Sequence, residues 1–145
     1  DEGVDTGLIL GQEEVLIQLD ETAMTLYNKV NRAHETLIEK LFFDLQKNQI
    51  VGISQDESKA TYWEGRKPKD GELLLSMTID EVDKLVRATT KPYPGAFIKS
   101  KGKKVIIWKG VMSSSKIESK VFYELQLEDG FFYATDYNIE DIIFK

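Results

Sequence analysis

The feature that most constrains the fold is a long apolar stripe between Glu21 and Asn48. Apolar residues recur there at every third or fourth position, which is the spacing of one face of an α-helix. Asp20 is suited to cap this helix, which is predicted to run to about Asn48. Such a helix is about 40 Å long, and the rest of a 145-residue chain is too small to cover it. We therefore expect a larger partner. The stripe consists of Leu26, Tyr27, Val30, His34, Leu37, Ile38, Leu41, Phe42 and Leu45.

An acidic loop precedes the predicted helix. It places Asp5 between Gly3 and Gly7, and glycines give a loop the backbone freedom to hold a carboxylate against a ligand. Apolar and polar residues then alternate from Leu8 to Leu19, which predicts a strand. Asp5 would lie at the mouth of this strand, where we expect a functional acid.

The segment after the helix is predicted to be irregular. Residues 50–58 form a short connector, and the glycine and proline residues within 60–73 indicate an extended loop. Tyr62, Trp63 and Arg66 in this loop could stack on or clamp a planar anionic ligand. They could equally pin a crossing segment to two subdomains.

The C-terminal part is predicted to be a helix followed by strands. Thr78 and Glu81 form a capping box that starts the helix, and Lys91-Pro92 ends it. Turn residues then separate short apolar runs, which indicates an antiparallel sheet or a partly open barrel. The fold class is therefore α+β, with a domain boundary after residue 58. The predicted strands are residues 96–99, 105–109, 121–127 and 131–135.

The composition excludes several kinds of site. Without cysteine there can be no disulfide, thiolate nucleophile or cysteine metal site, and we expect a cytoplasmic location. The single histidine, His34, rules out a histidine-rich zinc site, and no metal is predicted. We interpret His34 as packing at the edge of a core rather than as a general base. The net charge of −6 argues against a nucleic-acid surface, and no apolar run is long enough to span a membrane.

The Asp5-Thr6-Gly7 sequence also occurs in the catalytic loop of aspartic proteases. Those enzymes are almost wholly β and have a hydrophobic strand leading into the motif. Here a long helix dominates the segment that follows the motif. A protease is therefore the less favoured interpretation.

Six separated segments carry a further pattern. They are Asp1-x-Gly3-x-Asp5-Thr6-Gly7, Asp20-x-Thr22-Ala23, Gln55-Asp56-Glu57, Asp70-Gly71, Leu85-Val86-Arg87-Ala88 and Pro92-x-Pro94-Gly95-Ala96. In this order the segments resemble the folate-dependent formyltransferase family, which includes methionyl-tRNA formyltransferase and the sugar-nucleotide N-formyltransferases. The resemblance runs from residue 1 to about residue 110.

The resemblance implies a parent enzyme that moves a formyl group from 10-formyltetrahydrofolate to a primary amine. In the family, an aspartate at the end of a Rossmann-like domain works together with an Asn-x-His pair. By motif match that aspartate is Asp5. Gly3, Val4, Thr6 and Gly7 would close the acidic loop against the folate.

The sequence departs from the family in one respect. It contains no Asn-x-His, and Asn31-Arg32-Ala33-His34 has the wrong spacing. The chain also opens on Asp without a signal-peptide pattern, so we expect a fragment that lacks the Rossmann-like half. Residues 1–58 would be the end of that catalytic domain, and residues 59–145 a C-terminal subdomain. The isolated chain is predicted to be inactive and to form a homo-oligomer through the helix of residues 21–48.

The acceptor is predicted from one loop. Gly65-Arg66-x-Pro68-x-Asp70-Gly71 looks more like the sugar-nucleotide branch of the family than the methionyl-tRNA branch, and the acidic balance of the chain agrees. The resemblance thus implies a nucleotide-linked amino sugar, with Tyr62, Trp63 and Arg66 as its binding residues. An initiator methionyl-tRNA acceptor is the alternative. A third possibility is a non-catalytic binding module that uses Tyr62, Trp63 and Tyr93.

Overall fold

The computed structural model describes residues 3–118 and 122–142. The chain forms two compact units. The N-terminal unit consists of Asp1–Gln18 and Leu26–Gly65, and the C-terminal unit consists of Leu19–Thr25 and Arg66–Lys145. The assignment of residues 1–58 to a catalytic domain is not tested by this division and stays a prediction.

The long helix, α1, runs from Ala23 to Gln46, within the predicted range. The predicted cap is wrong: Thr22, not Asp20, caps the helix, because the Thr22 hydroxyl accepts a hydrogen bond from the backbone N–H of Thr25 at 3.3 Å. Asp20 precedes the first turn and is too far along the chain to make this bond.

The C-terminus of α1 is closed by a left-handed residue, Asn48, with φ 53°. The Asn48 N–H donates to the Leu45 carbonyl at 3.1 Å, and the Gln49 N–H donates to the Asp44 carbonyl at 2.9 Å. This is a Schellman motif, which satisfies the last carbonyls of the helix. No residue of α1 is buried, and no helix among the described residues is long and apolar enough to cross a membrane.

The strand predicted for residues 8–19 is wrong. Within the described part of the chain, Ile9 alone of these residues is paired, and it exchanges two backbone hydrogen bonds of 2.9 Å with Ile53. Farther along, the segment contacts α1, where Lys40 forms an ion pair with Glu13. An alternating sequence becomes a strand only where a neighbour completes the ladder, and here the helix takes that place.

The second helix, α2, spans Ile79–Thr89 and begins with the predicted capping box. The Glu81 N–H donates to the Thr78 hydroxyl at 3.2 Å, and the Thr78 N–H donates to the Glu81 carboxylate at 2.8 Å. Asp129 adds a cap from a distant turn by accepting the Ile79 N–H at 3.0 Å. The helix ends at Thr89, slightly before the predicted stop.

Four antiparallel strands follow α2, and they are ordered β1-β2-β4-β3 in one sheet. Because β1 and β3 are edge strands, the sheet is open, which confirms the α+β class with an antiparallel sheet or partly open barrel. Val121, the predicted start of the third strand, lies outside the described residues. The strands are β1 (Ala96–Ser100), β2 (Lys103–Ser113), β3 (Tyr123–Leu127) and β4 (Gly130–Asp141).

Strands β2 and β4 are longer than the predicted residues 105–109 and 131–135. They pair with each other from Lys103 opposite Asp141 to Ser113 opposite Phe131, with a register shift next to Trp108. Backbone pairing continues past the apolar runs because it does not require apolar side chains.

The core of the C-terminal unit lies between α2 and the sheet. Val82 and Val86 of α2 are buried there against strand residues such as Ile107 and Phe132. Two short 3₁₀ helices, Glu57–Lys59 and Pro68–Gly71, occur in the segments that were predicted to be irregular.

Candidate functional site

The acidic loop turns sharply at Asp5. This residue has φ 59°, in the left-handed region that aspartate tolerates better than most side chains do. Gly3 leaves room for the Thr6 side chain in this turn, because a Cβ atom there would lie 2.3 Å from the Thr6 hydroxyl oxygen and would force that side chain to move. Asp5 is exposed on this turn, so its carboxylate is available to a ligand.

Gln55 fastens the loop from a distant part of the chain. Its side-chain Nε2 donates to the carbonyl oxygens of Asp5 at 2.8 Å and of Gly7 at 2.7 Å. The backbone pairing of Ile9 with Ile53 brings this side chain to the loop. Gln55 belongs to one of the segments that resemble the family, but no spacing in the sequence indicates this contact.

An open cleft of about 620 Å³ lies beside the loop in the N-terminal unit. It brings together Val4, Asp5 and Thr6 of the loop with Tyr62. Their roles in binding or catalysis stay predictions. Gly3 and Gly7 do not line this cleft. The rest of the lining is Ile9, Ser54, Gln55, Asp56, Glu57, Lys59, Ala60 and Thr61.

Asp56 is a second carboxylate in the cleft lining. It accepts hydrogen bonds from the Ser58 hydroxyl at 2.6 Å and the Ser58 N–H at 3.1 Å, and it lies 3.3 Å from Lys59 Nζ. The Ser58 hydroxyl above all, together with Lys59, holds the pKa of Asp56 below its ordinary value. Asp56 is therefore ionised at neutral pH and cannot act as a proton donor.

The three predicted acceptor-binding residues are divided between the two units. Of the three, Tyr62 lines the cleft of the N-terminal unit. Trp63 is 87% exposed. Arg66 lines a separate cavity of about 590 Å³ in the C-terminal unit, together with Lys67 and Tyr93. A joint clamp by the three side chains thus stays a prediction.

The described lining of the cleft contains no histidine. His34 is exposed on α1, so the prediction that it packs at the edge of a core is wrong. It does not line the cleft either. No group of three or more histidine and acidic side chains in the described part of the chain could hold a metal ion. The catalytic role of Asp5 therefore stays a prediction.

The chain is similar to several known proteins. Residues 66–134 match the formyl transferase C-terminal domain, and this range contains α2 and most of the open sheet. The chain is 36% identical over 110 residues to the bifunctional polymyxin resistance protein ArnA of Wigglesworthia glossinidia brevipalpis. That match covers 76% of the chain and 17% of ArnA.

Several solved structures share the fold, among them two that are formyltransferases by name. Methionyl-tRNA formyltransferase from Clostridium thermocellum matches 97% of the chain with a TM-score of 0.66 and 21% identity, and the match covers 53% of that protein. An N-formyltransferase from Helicobacter canadensis, in complex with folinic acid and dTDP-3-aminofucose, matches 92% with a TM-score of 0.63 and 20% identity, over 52% of its length. The chain therefore spans about half of these enzymes.

The helix and open antiparallel sheet of the C-terminal unit form a formyl transferase C-terminal domain. The resemblance to the formyltransferase family is thereby confirmed, and the part of the chain that matches the family's C-terminal domain is residues 66–134.

Proposed function

We propose that Asp5 is the carboxylate of a catalytic set that transfers a formyl group from 10-formyltetrahydrofolate to a primary amine. The observation that carries this proposal is the presence of Asp5 in a cleft lining, in a chain whose residues 66–134 match the formyl transferase C-terminal domain. The Asn-x-His pair of the set would come from residues outside these 145.

The folate supplies the formyl carbon in this proposal, and Asp5 acts on the base. The amine nitrogen loses a proton as it forms its bond to that carbon. The bond between the formyl carbon and N10 of the folate then breaks, and N10 takes up a proton as tetrahydrofolate leaves. A carboxylate next to an imidazole holds the ring in the orientation that accepts this proton and stabilises the imidazolium that results. Gly3 and Gly7 would let the loop approach the folate closely.

The cleft is suited to one end of a folate. Its volume of about 620 Å³ is in the usual range of small-molecule sites. Val4 and Ile9 supply apolar contacts in the lining, while Thr6 offers a hydroxyl for the polar edge of a ring.

For the acceptor we propose an amino sugar carried on a nucleotide. Arg66 makes no ion pair or hydrogen bond with another described residue, so its guanidinium is available to a phosphate group. Tyr62 is 89% exposed and Trp63 is 87% exposed, and both rings can stack on a nucleobase. The likeness to ArnA and to the Helicobacter canadensis enzyme supports this acceptor.

Two alternatives have specific support. The fold similarity to a methionyl-tRNA formyltransferase keeps an initiator methionyl-tRNA acceptor in consideration. The exposed rings of Tyr62, Trp63 and Tyr93 would also suit a binding module without catalysis. The cytoplasmic location stays a prediction.

Turnover by the complete protein tests the proposal. We expect tetrahydrofolate release with 10-formyltetrahydrofolate and a nucleotide-linked amino sugar, and none with methionyl-tRNA.

Asp5→Asn should lower kcat by about 100- to 10,000-fold, while Asp56→Asn, in the same cleft, should retain most activity. An active Asp5→Asn enzyme would contradict the role of Asp5. The 145-residue chain alone should show no turnover.

A further inference from the structure

We infer that Gln55 is a positioning residue that fixes the direction of the Asp5 carboxylate by clamping the backbone on both sides of the turn. The catalytic part of this inference rests on the function proposed for Asp5. The clamp itself is a separate structural claim.

The clamp follows from the geometry of one carboxamide group. Gln55 Nε2 carries two N–H bonds, and it lies 2.8 Å from the Asp5 carbonyl oxygen and 2.7 Å from the Gly7 carbonyl oxygen. Asp5 and Gly7 are two residues apart, so the two N–H bonds of the one nitrogen can each donate to one of these carbonyls. Both distances are within the normal range for N–H···O hydrogen bonds.

The backbone pairing explains why Gln55 is in the right place. Ile9 pairs antiparallel with Ile53. In this register Gln55, two residues after Ile53, lies opposite Gly7, two residues before Ile9. The backbone ladder does not continue to this position. The Gln55 side chain takes the place of the missing backbone donors and makes the hydrogen bonds to the loop.

The acidic loop has few other attachments. Residues 3–6 are exposed. Asp5 is in a left-handed backbone conformation, which is unfavourable for residues other than glycine. Among the hydrogen bonds of the described residues, those from Gln55 are the ones that tie the Asp5 and Gly7 carbonyls to another segment. Without them, the loop would relax toward conformations in which the carboxylate points elsewhere.

Glutamine is the side chain that this arrangement requires. Asparagine is shorter by one methylene, and glutamate would place an acceptor against two carbonyl oxygens. Gln55→Met is the sharpest substitution, because methionine is similar in size and uncharged but has no N–H. Gln126→Met is a matched control, since Gln126 is an exposed glutamine of β3 whose side chain makes no hydrogen bond with another described residue.

The first measurement uses the 145-residue chain and does not depend on catalysis. In ¹⁵N relaxation experiments, Gln55→Met should lower the order of the Asp5, Thr6 and Gly7 amides, and the signals of β2 and β4 should not shift. Gln126→Met should leave the loop amides unchanged. Unchanged loop amides in Gln55→Met would overturn the clamp.

The second measurement uses the complete enzyme. A misplaced carboxylate should lower kcat by up to about 100-fold, with the KM for folate and acceptor within about twofold of the native values. Loss of loop order with native kcat would overturn the positioning role. If the native enzyme transfers no formyl group at all, the proposed function and the catalytic part of this inference both fail, while the relaxation data still decide the clamp.

Discussion

The two compact units of this chain are stabilised in different ways. The C-terminal unit encloses a core between α2 and the sheet, and it contains all the buried hydrophobic residues of the described chain. In the N-terminal unit, the part of α1 from residue 26 onwards has no buried residue and the acidic loop is exposed. The C-terminal unit is therefore organised as a domain with its own core. The N-terminal unit contains the candidate site and leaves many large apolar side chains exposed.

The largest effect should come from the core of the C-terminal unit. Phe132 is fully buried on β4, and Phe132→Ala should lower the free energy of unfolding by about 3–5 kcal/mol, because it leaves a cavity between the sheet and α2. Urea unfolding followed by Trp108 fluorescence would measure this loss.

The matched control is an exposed phenylalanine on α1. Phe43 is 65% exposed, and Phe43→Ala should change the free energy of unfolding of the C-terminal unit by less than about 0.5 kcal/mol. Equal effects of the two substitutions would show that the units share one core, and the comparison between them would be wrong.

The second prediction concerns the uncovered face of α1. We expect the isolated chain to associate through this face, as the sequence predicts. Phe42 is 48% exposed within the chain, and its burial at a subunit interface would contribute about 2 kcal/mol. Phe42→Gln should therefore weaken association by roughly 30-fold, as measured by sedimentation velocity over a range of concentrations.

Glu39→Gln provides the control for association, because Glu39 is exposed on the same helix and lies outside the apolar stripe. It should leave the association unchanged. A chain that stays monomeric at high concentration would show that copies of this chain do not cover the α1 face.

The third prediction tests the start of α1, which belongs to the C-terminal unit. The Arg87 guanidinium bonds the Asp83 carboxylate at 2.7 Å and donates to the Glu21 carbonyl at 2.8 Å. Arg87→Lys keeps the charge near Asp83 but cannot make both bonds, so it should cost about 1 kcal/mol. Faster hydrogen exchange at residues 21–25 would report the loss.

Lys84→Ala is the control on the same helix, because Lys84 forms an exposed ion pair with Asp80. Exposed pairs of this kind contribute little, so the loss should stay below about 0.5 kcal/mol. If Arg87→Lys leaves exchange at residues 21–25 unchanged, the bond to Glu21 does not hold the segment in the C-terminal unit.

Local patterns predicted the elements whose formation depends on nearby residues. The capping box of Thr78 and Glu81 starts α2 as expected. The apolar spacing predicted α1, and the predicted ends are correct to within a few residues. The same patterns failed at residues 8–19, because alternation shows which face of a strand would be buried but not whether a partner strand exists. The partner there is Ile53 at one position, and α1 elsewhere.

The sequence predicted some of the residues that line the candidate cleft, and their roles stay predictions. The Asp5-Thr6-Gly7 motif identified the loop, and Tyr62 proved to line the same cleft as Asp5. Gln55 was missed because its contact joins residues 48 and 50 positions apart. A hydrogen bond between a side chain and a distant backbone carbonyl leaves no periodic signal in a sequence.

The smallest expected effect is the titration of Asp56, which would show how little a surface charge contributes beside the core of the other unit. Its pKa is lowered from 3.8, chiefly by the Ser58 hydroxyl. The folded state therefore binds this proton less tightly than the unfolded state does. The contribution of the ionised Asp56 to the free energy of unfolding is fully present above pH 3.8 and is lost as the pH falls through the lower folded pKa.

Carbon-detected NMR should give a midpoint for the titration of Asp56 below 3.8 that moves up in Ser58→Ala and stays in place in Ser54→Ala. Because Asp56 is exposed, neither variant should measurably change the free energy of unfolding at pH 7. A native midpoint at or above 3.8 would show that Ser58 does not hold the carboxylate in solution.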